Sequence, residues 1–139
     1  MGSGSKSIGL DGLFAALADL TRLRLLNLMV GREVCVCYLV EILGQSQPKI
    51  SRHLASLRKA GIVTARREGK WMHYRIAMPQ HIGAAQVLKQ TLAWLSEEKP
   101  MQADRARLTK ACCAPTKFVA LRGAPLPAAV ECCTPRAAQ

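Results

Sequence analysis

The stretch Val34 to Leu57, V-C-V-C-Y-L-V-E-I-L-G-Q-S-Q-P-K-I-S-R-H-L-A-S-L, reads as helix, tight turn, helix. Val36, Leu39, Val40 and Leu43 recur at the spacing of one helical face, and Gly44 follows where a C-terminal cap belongs. Ser46 is placed to cap the second helix, its hydroxyl accepting from a first-turn N–H, and Pro48 in that turn has no N–H to leave unpaired. Ile50, Leu54 and Leu57 repeat the inward spacing. The opposite face carries Gln47, Lys49, Ser51, Arg52 and Ser56, short polar or basic groups suited to phosphates and base edges. That chemistry is the chemistry of a recognition helix.

Downstream, the helix ends at Ala60-Gly61, and side chains alternate around a Glu68-Gly69-Lys70 turn, which predicts a β-hairpin. Val63 and Ala65 fall on one face, as do Met72, Tyr74 and Ile76 of the return strand. Arg66, Arg67, Lys70 and Arg75 would lie beside a bound duplex as a wing. Pro79 closes the hairpin, and from Gln80 to Glu98 a stripe of Ile82, Val87, Leu88, Thr91, Leu92 and Leu95 marks an amphipathic helix. Little chain remains to cover that stripe, so a second copy of the same helix is the economical partner, giving a two-fold dimer. Upstream, Leu10, Leu13, Phe14, Leu17 and Ala18 keep helical spacing. Asp19 interrupts, and Leu20, Leu23 and Leu26 begin a second short helix in which Arg22 and Arg24 read as solvated or phosphate-facing. Gly31 ends it, and Arg32 to Val34 forms an extended link.

The expected organisation is a leader or cloning scar over 1–9, a DNA-binding and dimerisation domain over 10–98, and a cysteine-containing mobile tail over 99–139. Residues 101–111 could continue as helix, while the remainder has poor periodicity and frequent breakers. The fold class is mainly α with a β-hairpin: a winged helix-turn-helix, dimeric through its terminal helices.

Charge supports this assignment. The 139 residues carry a formal net charge of +11, and residues 47–75 hold eight basic groups against one acidic. The basic block coincides with the recognition helix and wing, so a polyanion, double-stranded DNA, is the expected partner. No apolar run approaches the roughly 18 residues that span a bilayer, and the start lacks the apolar core of a signal peptide, so no membrane partner and a cytoplasmic location are expected. Six cysteines in such a chain point to thiolate ligands or redox chemistry rather than a disulfide framework.

Taken together, the motifs A15-A-L-A-D-L-T-R-L-R-L-L-N-L, S46-Q-P-K-I-S-R-H-L-A-S-L-R-K-A-G-I-V and R67-E-G-K-W-M-H-Y-R-I resemble the ArsR/SmtB family of winged helix-turn-helix regulators, from about Leu10 to Glu98. The resemblance implies a dimeric repressor that releases operator DNA when a metal or metalloid binds. The segment E33-V-C-V-C-Y-L looks like the arsenite box of enterobacterial members, with Tyr38 and Val40 where that box has Asp and a third cysteine. Arsenite prefers three soft thiolates, and Cys35 and Cys37 supply two, so the third comes from elsewhere or the ligand needs only two.

The tail offers two vicinal pairs, Cys112-Cys113 and Cys132-Cys133. The favoured site joins Cys35 and Cys37 with Cys112 or Cys113, leaving Cys132 and Cys133 dispensable; the bland alternatives are small core residues and incidental tail thiols. On a regular helix, residues i and i+2 point about 200° apart, so ligation by Cys35 and Cys37 should unwind the first turn of their helix. The expected inducer is As(III) or Sb(III), with no organic cofactor. A structural zinc is not expected, because C-x-C plus C-C lacks knuckle spacing. The zinc site that some members of the family carry on the last helix is absent too, since His81 has no His, Asp or Glu at i+3 or i+4. His53, on the recognition helix, and His73, in the wing, read as structural or phosphate-facing.

Two other functions compete. One is a thiol-based redox-sensing DNA-binding regulator, in which the cysteines oxidise. The other is a metal-buffering protein or thiol enzyme, against which no cysteine pairs with a histidine base in the readable part of the chain.

Overall fold

A computed structural model describes residues 9–113, 121 and 123–127. Two short helices come first, α1 (Leu10–Leu17) and α2 (Leu20–Leu28). The Asp19 carboxylate between them accepts from the Arg22 N–H at 3.0 Å, so the residue expected only to interrupt the helices also caps the second. After them come β1 (Val34–Cys35), α3 (Val36–Leu43), α4 (Gln47–Lys59), the hairpin strands β2 (Val63–Glu68) and β3 (Trp71–Ile76), α5 (Ile82–Leu95) and α6 (Lys99–Cys113). The three strands form one antiparallel sheet in the order β1-β3-β2. Among the described residues, no helix is long and apolar enough to cross a membrane.

The helix-turn-helix forms where the periodicity placed it. Gly44 adopts φ +66°, the left-handed conformation that a side chain resists, and its N–H donates to the Val40 carbonyl at 2.9 Å to close α3. Ser46 caps α4 through the Lys49 N–H. Ile50, Leu54 and Leu57 are fully buried against α2 and α3, each contributing on the order of 1.5–3 kcal/mol of apolar burial. The core they join holds Leu25, Leu26 and Leu28 of α2, Tyr38 and Leu39 of α3, Ile62, and Leu88 of α5.

Three expectations change. Cys35 is not in a helix: it pairs with His73 of β3 and then serves, extended at φ −70° and ψ 144°, as the N-cap of α3. The last residue of the expected link, Val34, therefore forms a short sheet strand with Cys35. Second, residues 99–113 are not a mobile tail, because α6 packs on α2 and α3 and buries Met101, Asp104, Leu108, Ala111 and Cys112. Its polar residues conceal the reason: Asp104 accepts from Arg24 Nε at 2.8 Å and Nη2 at 3.1 Å and from Arg107, so it is buried inside an ion-pair cluster. Asn27, also fully buried, donates to the Met101 carbonyl and accepts from Arg105 Nε at 2.7 Å. Third, Arg24 is accordingly a partner of α6 and not a solvated cation.

Candidate DNA interface and thiol pair

On α4, Gln47, Lys49, Arg52 and Ser56 are exposed and Ser51 is half-buried, so the proposed reading face is open to a partner. His53 is turned the other way. Its Nδ1 lies 3.2 Å from Arg22 Nη1 and 3.8 Å from an Asp19 carboxylate oxygen. Arg22 also donates through Nε to the Ala16 carbonyl at 2.8 Å and through Nη2 to the Ala15 carbonyl at 3.1 Å, satisfying the C-terminal end of α1. The arginine expected at the surface thus ties α1 and α2 to the recognition helix, with His53 as the contact on α4.

The wing is basic but its cations are not equivalent. Arg66 makes a two-pronged contact with Glu33, Nε to Oε2 at 3.1 Å and Nη2 to Oε1 at 2.7 Å, and lies 3.6 Å from Glu68. That guanidinium holds the Glu33 carboxyl below the usual carboxylate range. Arg67 donates to the Gly69 carbonyl across the turn, and the Lys70 ammonium sits 5.1 Å from the Trp71 ring centroid. Among the described residues neither Arg67 nor Lys70 forms an ion pair.

The thiols of Cys35 and Cys37 lie 3.0 Å apart. This corrects the expectation that the first turn must unwind. The 200° argument holds for two residues within a helix, whereas Cys35 is the extended residue before it, which swings its sulfur back over Cys37. The contact splits their acidities. Hydrogen bonding from the Cys37 thiol, aided by the backbone N–H groups of Cys37 and Val36, outweighs burial and lowers Cys35 to about 7. The same contact, reinforced by burial, raises Cys37. The pair therefore titrates as a unit, with Cys35 the first to ionise.

Cys112 is buried in α6 and Cys113 beside it is exposed. Among the described residues no three Cys, His, Asp or Glu side chains are gathered as a metal site, so neither cysteine of α6 stands with the Cys35–Cys37 pair as a third ligand. Cys132 and Cys133 lie outside the described residues. His81 caps α5, its Nδ1 accepting from the Gly83 and Ala84 N–H groups. His73 is buried with Nε2 3.0 Å from Glu68 Oε1, a contact not aligned as a hydrogen bond. The link from Arg22 to His53 and the Glu33–Arg66 pair were missed in the sequence because each joins residues more than 30 positions apart.

Comparison with known proteins agrees with this geometry. The family described as "Bacterial regulatory protein, arsR family" matches residues 19–65. The chain is 45% identical over 103 residues to the arsenical resistance operon repressor of Escherichia coli K12, covering 73% of this chain and 86% of that protein. It is 47% identical over 92 residues to the arsenic resistance transcriptional regulator ArsR1 of Pseudomonas putida KT2440, covering 62% and 71%. Among solved structures, HlyU from Vibrio cholerae superposes with a TM-score of 0.51 at 29% identity over 58% of this chain and 84% of that one. Mycobacterium tuberculosis Rv0081 does so at 0.50 and 33% over 69% and 91%.

Proposed function

Because the chain belongs to the arsR family of winged helix-turn-helix regulators, we propose that it is a dimeric repressor that grips operator DNA through α4 and the wing and lets go when trivalent arsenic or antimony binds Cys35 and Cys37. The observation that carries this reading is the 3.0 Å separation of the two thiols at the N-terminus of α3, the helix joined to the recognition helix by the turn at Gly44. Soft thiolates select a thiophilic centre over harder cations, and a sulfur near its ionisation point at neutral pH is ready to bond. As each As–S bond forms, a thiol proton and an arsenic-bound hydroxide leave together as water. Two fixed sulfurs serve a methylated arsenical unaided, or arsenite that keeps one hydroxide. A third sulfur from Cys112 would require α6 to lift, since that side chain is buried in the core. A ligand that ties Cys35 to Cys37 has different affinities for the arrangements of α3 that support and misplace α4, which is what a switch needs.

The dimer rests on the exposed apolar side chains of α1 and α5. Leu88 and Leu95 of the α5 stripe pack into their own chain, while Ile82 and Trp94 on α5 and Leu10 and Phe14 on α1 remain open. A two-fold partner would cover them.

Fluorescence anisotropy of labelled DNA from the protein's own promoter, titrated under reducing conditions with arsenite, methylarsenite, antimonite, cadmium and zinc, tests the reading. Arsenicals should release the DNA from the unmodified chain and from a Cys112→Ser, Cys113→Ser double variant. Cys35→Ser and Cys37→Ser should each bind DNA and fail to respond. Unchanged DNA affinity with arsenite, or a response that survives both box substitutions, would overturn it. The close thiols also favour a second reading, in which peroxide oxidises the pair to a disulfide with release of two waters. Release by peroxide that is reversed by reductant, without a response to arsenite, would select that reading.

A further inference from the structure

We propose that the Glu33–Arg66 pair is the latch through which occupancy of Cys35 and Cys37 resets the pose of the wing; this rests on the metalloid-responsive reading above. Cross-strand register places Cys35 opposite His73 and His73 opposite Arg66, so these three residues form one row on one face of the sheet. Alternation along β2 puts Glu68, two residues after Arg66, on that same face, and Glu33, the residue before β1, meets Arg66 there. Arg66 is held at one end by both Glu33 oxygens, and Glu68 approaches both Arg66 and His73. The register therefore runs from the thiol pair to the wing, and among the described residues the Glu33 carboxylate is the ion-pair contact from Arg66 to the segment that leads into the strand carrying Cys35.

Cys35 is the point at which β1 ends and α3 begins, so an arsenic atom bonded between its sulfur and that of Cys37, which are 3.0 Å apart, turns the peptide on both sides of it. Glu33 immediately precedes β1 and is carried by its motion. A fork of two parallel N–H···O bonds tolerates little misalignment, so a small rotation of β1 is enough to release Arg66 or to pull β2 along. Glu33 also occupies the guanidinium in the geometry a phosphate would use, while Arg67 and Lys70 remain available to the duplex. Glu33 and Arg66 are thus positioning residues. They set where the wing sits; Arg52 and Lys70 make the contacts.

The test is a double-mutant cycle on the response ratio, meaning the Kd for promoter DNA with saturating arsenite divided by the Kd without it. The proteins are the full chain, Glu33→Gln, Arg66→Gln and the double variant, with arsenite occupancy followed by the ultraviolet absorbance of the arsenic–thiolate bonds. Each single variant should shrink the ratio by about two- to fivefold, the span open to a part-exposed ion pair, and the double variant should shrink it no further. Arsenite affinity should stay unchanged throughout. If Arg66 is only a phosphate contact, both Kd values of Arg66→Gln rise together and the ratio is unmoved, which overturns the latch. Ratio losses that multiply in the double variant overturn it as well. If the unmodified chain keeps its DNA affinity with arsenite bound, the metalloid-responsive reading has failed, and the latch falls with it.

Discussion

Replacing Asp104 by Ala tests whether α6 is part of the folded domain. The carboxylate is about 2% exposed and accepts from Arg24 twice, at 2.8 and 3.1 Å, and from Arg107. Removing one partner of a buried pair usually destabilises by about 3–5 kcal/mol, because the other charge is left without compensation. Here the Arg24 side chain is 25% exposed and the Arg107 side chain 49%, so both cations regain some water. That lowers the expected loss to about 2–3 kcal/mol. For a domain of about 100 residues each kcal/mol moves the melting temperature by about 4–8 °C, so Asp104→Ala should melt roughly 10–20 °C lower. Circular dichroism melts at one fixed protein concentration measure this, since a dimer's midpoint varies with concentration. Arg107 also donates to the Ile42 carbonyl at the end of α3, and that contact should weaken with it. A midpoint within 2 °C of the unmodified protein would show that α6 contributes little to the fold and that the tail begins at residue 99 after all.

Arg52→Ala should weaken binding to promoter DNA by about 1–3 kcal/mol if the side chain reads a base edge, and equally across sequences if it meets phosphate; wild-type affinity at moderate salt would remove α4 from the interface. Cys37→Ala should raise the ionisation of Cys35 from about 7 towards an ordinary thiol near 8.5, because the thiol that stabilises its anion is gone. Thiolate absorbance followed against pH reads this directly. Because each As–S bond takes up one thiol proton with the departing hydroxide, arsenite affinity in the unmodified chain should fall as pH rises above about 7, where Cys35 ionises, and level off below that point.

What could be read from the sequence was whatever local chemistry decides. The i, i+3, i+4 spacing of Val36 to Leu43, the left-handed cap at Gly44, the Ser46 cap and the Glu68-Gly69-Lys70 turn each depend on a few neighbours, and each stands where it was expected. Cys35 was misplaced because V-C-V-C is equally good as a strand end or a helix start, and only pairing with β3 decides between them. The helix α6 was undervalued because its inward face carries a carboxylate, and a buried Asp is invisible to any argument from apolar periodicity unless Arg24, 80 residues away, is known to meet it. The surface of α4 was legible except at His53, whose partner Arg22 comes from another helix.

The grip of Arg22 has a consequence for the DNA sequence itself. One guanidinium holds the last carbonyls of α1 and the ring of His53 on α4, so the first helix and the recognition helix move as one body. In a two-fold assembly through α1 and α5, each α4 then becomes an arm of set length and angle, bolted at its base to the symmetry axis. Two such arms can enter successive major grooves only when the half-sites are about one helical turn apart, near 34–36 Å, or a multiple of it. In such an assembly the tolerance of the operator to an inserted base pair would follow from Arg22, whose guanidinium is spent on α1 and His53.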